Sequence, residues 1–82
     1  MEELTYEEIK KQFRALRQEY KNNPDKDALT HIFVCASRLV LALTTVSLEN
    51  YPNKEIETTL KILDRFCDNV YSEMTGITIR LI

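Results

Sequence analysis

Apolar residues recur along this chain in three blocks, each at helical spacing. Ile9, Phe13, Leu16 and Tyr20 follow one another at intervals of four, three and four, with Tyr6 leading in. Ile56, Leu60, Leu63, Cys67, Val70 and Met74 keep intervals of four and three without a break, and Ile62 and Phe66 widen that stripe on one flank. Positions three and four apart share one face of an α-helix. Between these blocks lies the densest stretch, Ala28 to Leu48, in which 14 of 21 residues are apolar. Its polar residues come in pairs seven apart: Thr30 with His31, Ser37 with Arg38, Thr44 with Thr45. Taken as one narrow polar stripe, they leave roughly five positions in seven apolar, more than the usual arc of about 100° that a surface helix buries. Such a helix calls for neighbours on two or three sides.

The boundaries between blocks carry their own signals. Thr5 followed by Glu8 is a capping box, with Leu4 and Ile9 placed as a hydrophobic staple. Glu7 and Lys11 stand at the spacing of a favourable helix ion pair. Asn22-Asn23-Pro24-Asp25 ends the first helix and starts the second, Pro24 suiting a first helical position with Asp25 and Asp27 in the opening turn. Glu49-Asn50-Tyr51-Pro52-Asn53 breaks the second, and Gly76 suits a left-handed cap on the third. The expected architecture is all-α: a three-helix antiparallel bundle in a single domain, 1–82, with helices over about 5–22, 25–48 and 53–75. The second helix is sandwiched between the others. An alternating apolar tail, residues 77–82, is expected to be tied down by packing.

With one Gly, two Pro, 44% hydrophobic and 29% charged residues, the composition is that of a globular chain. At 82 residues, folding buries only about 60% of the surface exposed by the unfolded chain. A homodimer or higher oligomer, closing the surplus apolar arc of the second helix, is the economical answer. Two cysteines without dense spacing make no disulfide framework. The acidic N-terminus lacks the apolar run of a signal peptide, and a cytoplasmic location is expected. The central stretch has the length of a membrane span, yet Arg38 at its middle costs about 2.5 to 3.5 kcal/mol on insertion scales, so no span is expected.

Candidate chemistry is sparse. His31 and Cys35 stand at the i,i+4 spacing that sets two metal ligands side by side, and Cys67 is a third thiol. Three soft ligands without a second cluster fall short of a metal site, and a buried Cys ordinarily behaves as a small hydrophobe. Neither a metal nor a cofactor is expected. A thiol nucleophile would need an orienting group and an oxyanion site that the spacing does not supply, and the chain is read as a non-enzyme. Arg38 must find an acceptor or reach solvent. Asp64 and Asp68 are the candidate ion-pair partners, and the alternative is a polar notch of His31, Ser37, Arg38 and Thr45 that receives an anionic ligand or a partner's acidic side chain. Lys10, Arg14, Arg17 and Lys21 form a basic face on the first helix, with Lys11 beside it. Net charge is −2 and no aromatic stands among these bases, so nucleic-acid binding is the weaker use of that face. From Glu49 to Glu73 acids outnumber bases, so the basic face of one copy has a counterpart on another.

The length, capped helices and short loops resemble in style the small helical immunity and inhibitor proteins carried by bacteria and their phages, with no motif matched and no site carried over. The function expected is that of a small interaction module, a phage- or bacterium-encoded inhibitor or adaptor, binding itself and a protein partner.

Overall fold

The computed structural model describes residues 4–76; the apolar tail, 77–82, lies outside the described residues. Three helices follow in order, α1 Tyr6–Lys21, α2 Lys26–Glu49 and α3 Lys54–Thr75, with no strand among the described residues. The chain is an all-α bundle.

Each helix begins on a side-chain cap. The Thr5 hydroxyl accepts from the amide of Glu8, the Asp25 carboxylate from Ala28 and the Asn53 amide oxygen from Ile56. Asp25 therefore stands one position before α2, and Pro24 lies outside the helix instead of opening it, because the Asp25 carboxylate satisfies an otherwise unpartnered amide of the first turn. Asn23 takes the left-handed conformation just past α1, φ +52°, as Asn tolerates through its short polar side chain. Gly76 does the same past α3 with φ +72°, its amide bonding to the Ser72 carbonyl. On α1, Glu7 pairs with Lys10 at 3.3 Å and not with Lys11, and Lys10 lies over the Tyr6 ring at 4.6 Å. The ring holds the ammonium near the preceding turn. Thr5→Ala removes the α1 cap and is expected to cost roughly 1 kcal/mol, read as a lower midpoint at unchanged slope in urea unfolding.

The core is one cluster. Ile9, Phe13 and Leu16 of α1, Leu29, Ile32, Ala36, Leu39 and Leu43 of α2, and Ile56, Leu63, Phe66, Cys67 and Val70 of α3 are buried together. No polar or charged side chain is buried among the described residues. Helix α2 packs on both neighbours, more extensively on α3. Thr30 meets Met74 and Phe33 meets Tyr71, so contacts descend α3 as they ascend α2.

Helices α1 and α3 meet through a ladder in which both advance by sevens. The Tyr6 hydroxyl is 2.8 Å from that of Thr59, and Phe13 meets Phe66 edge-on at 5.3 Å. Tyr20 meets Phe66 at 5.4 Å and reaches Glu73. Burial first, then the charge and hydrogen bond of Glu73, push the Tyr20 phenol above its ordinary pKa. A constant seven-residue step on both sides is the repeat of helices packed side by side along their lengths.

Candidate functional site

Successive residues of an α-helix are turned by about 100°, and on α2 this separates residues that are adjacent in sequence. Thr30, Ser37 and Thr44 lie along one edge of the solvent face, and His31, Arg38 and Thr45 along the other. Midway between runs an apolar line of Val34, Leu41 and Leu48, which are 44%, 72% and 74% exposed. The single polar stripe expected from the sequence is thus two rows about 100° apart with leucines and a valine between them. The line is about 21 Å long by helical rise. Tyr51, 70% exposed, stands just beyond its end.

The surplus arc is therefore narrower than five positions in seven. Phe33 and Val40 and, on the other flank, Cys35, Ala42 and Val46 are half-buried against the core within the same chain. What stays open is the row of Val34, Leu41 and Leu48. By length and composition α2 is also apolar enough to cross a membrane, a property that the core helix of a bundle shares.

The sequence-selected polar residues do not meet in one notch. His31, Arg38 and Thr45 share an edge, whereas Ser37 lies across the apolar line. Thr44 and Thr45 return their hydroxyls to the carbonyls of Val40 and Leu41, which satisfies them within the helix. Arg38 is exposed and among the described residues has no carboxylate within ion-pair distance; the one ion pair there is Lys10 with Glu7. Asp64 and Asp68 stand instead beside Cys67. Burial, then these two carboxylates, push that thiol up to about 11, so it is held protonated and inert as a nucleophile.

His31 and Cys35 do lie side by side, Nε2 at 3.6 Å and Nδ1 at 4.0 Å from Sγ. Cys67 is buried in the core. Among the described residues no three His, Cys, Asp or Glu side chains gather where a metal ion could be held.

The basic face of α1 divides. Lys10 is engaged by Glu7 and Tyr6, and Arg14 and Lys21 are exposed. Arg17 lies over the Phe13 ring at 5.5 Å and enters a groove of about 380 Å³ between α1 and α3, where Lys61 and Arg65 join it. Sequence reasoning missed these two bases because it weighed the net charge of the third helix. Their signal is positional: Thr58, Lys61, Arg65 and Asn69 repeat at three, four and four along the edge of α3 that faces α1.

Compared with known protein families, curated proteins and solved structures, the chain matches none of them.

Proposed function

We propose that this chain is a non-catalytic interaction module, built as an antiparallel three-helix bundle, whose contact surface is the solvent face of α2 and whose first occupant is a second copy of itself. The observation that carries this reading is the exposed apolar line Val34, Leu41 and Leu48, set on a helix whose other apolar positions are already covered. A monomeric bundle gains nothing from two leucines left about three-quarters in water, since each fully buried Leu stabilises by about 1.5 to 3 kcal/mol.

The spacing favours a twin as occupant. Val34 and Leu48 stand equally far, seven residues, on either side of Leu41. Two α2 helices packed in opposite senses about a twofold axis at Leu41 bring Leu41 against its own copy and Val34 against Leu48. The same operation keeps each polar row on its own rim, placing Ser37 beside Thr44 of the copy and Arg38 beside Thr45, so hydroxyls line both rims and the two Arg38 positions stand about 9 Å apart along the axis. Self-complementarity of this kind is what a twofold interface requires. An apolar seam with a polar rim is also the usual interface anatomy. The inhibitor or adaptor role follows as the use of such a dimer, with α1 and α3 left free to meet a protein partner. Solution mass, measured by light scattering after size exclusion over a wide concentration range, tests the reading.

A further inference from the structure

A second surface lies on the far elements of the bundle, and no α2 residue contributes to it. We propose that the groove between α1 and α3 binds a small amphipathic anion, a phosphate or carboxylate head on an apolar body, held by Arg17, Lys61 and Arg65 over a floor of Phe13, Ile62 and Phe66. Three observations combine. All the charged residues lining the groove are positive and come from two helices, Arg17 from α1 and Lys61 and Arg65 from α3. Among the described residues none of the three has a carboxylate within ion-pair distance, whereas Lys10 on α1 does. Like charges that share a groove whose lining holds no carboxylate repel one another, and an anion placed among them relieves that repulsion.

The floor sets the rest of the ligand. Ile62 is 49% exposed in the lining that it shares with these cations and with Phe13 and Phe66. A fully hydrated inorganic ion would leave this floor in water, whereas an alkyl or aryl body covers it. Thr58 and Asn69 add neutral hydrogen-bonding groups to the lining. Stacking over Phe13 holds the Arg17 guanidinium at the groove before any ligand arrives, which lowers the ordering cost of binding. The volume, about 380 Å³, falls in the range of small-ligand sites.

The test is an amide NMR titration of the full chain with decyl phosphate kept below its micelle-forming concentration, with inorganic phosphate and with phosphatidylglycerol vesicles in parallel. Saturable shifts at Arg17, Ile62 and Arg65 are expected with decyl phosphate. Inorganic phosphate, the Lys61→Ser/Arg65→Ser double variant and Ile62→Ser should each bind more weakly by roughly tenfold or more, equal to about 1.4 kcal/mol. These positions are exposed, so the variants stay folded, which their unperturbed spectra check. Absence of saturable shifts, equal binding of inorganic phosphate, shifts confined to Val34, Leu41 and Leu48, or binding seen only with vesicles would each overturn the proposal.

Discussion

Leu63→Ala is expected to destabilise the fold by about 2 to 5 kcal/mol, the ordinary cost of truncating a fully buried leucine. Leu63 is 0% exposed and sits among the side chains of all three helices in the core. Its removal loses the transfer free energy of the deleted methyl-bearing atoms and leaves a cavity that close-packed neighbours only partly fill. In a domain this small, 1 kcal/mol moves the melting temperature by about 4 to 8 °C, so the effect is plain in a thermal scan. Ile62→Ala is the internal control. It stands one residue away, turned by about 100° on the same helix and half in solvent, and should cost less than about 1 kcal/mol by lost burial. A Leu63→Ala cost below about 0.5 kcal/mol, against the range usual for buried leucines, would place α3 in a different rotation.

Leu41→Asp is expected to abolish self-association while leaving the bundle folded. In the twofold arrangement each substitution counts twice, so the loss is that of two buried leucines, about 3 to 6 kcal/mol per dimer. That weakens the dimer by about 10²- to 10⁴-fold, before the repulsion of two carboxylates facing each other across the axis is added. Within the monomer Leu41 is largely in water, and exposed substitutions of this kind usually stay within about 0.5 kcal/mol. Sedimentation at matched concentrations reads the first effect, and chemical unfolding of the variant reads the second. A variant that keeps the mass of an associated parent would move the interface away from Leu41.

Much of the fold was legible in local chemistry. Thr5, Asn53 and Gly76 mark their helix ends because each satisfies backbone groups within a few residues, and such short-range demands depend on nothing distant. The seams of α1 and α3 were legible for the same reason: intervals of three and four define a face whatever it packs against. The Glu7 partner was misjudged because the Tyr6 ring, another local feature, draws Lys10 into place first.

The α2 face needed more than spacing. Two polar residues side by side in sequence were taken as one stripe, although the helical turn between them leaves room for a third row, and that row holds Val34, Leu41 and Leu48. Arg38 was expected either to find an acid such as Asp64 or Asp68 or to reach solvent, and spacing alone could not choose between them. It lies on the solvent side of α2. Lys61 and Arg65 escaped notice because the charge of α3 was summed along its length, whereas what matters is which edge faces α1. Pairing of helices decides that, and it is a tertiary property.

The measurement that bears most directly on the α2 interface is the solution mass of the unaltered chain, by size exclusion with light scattering from low micromolar to millimolar concentration. A mass near twice the 9.6 kDa chain is expected across the upper part of that range. A mass of one chain at every concentration would contradict the proposed self-pairing of α2.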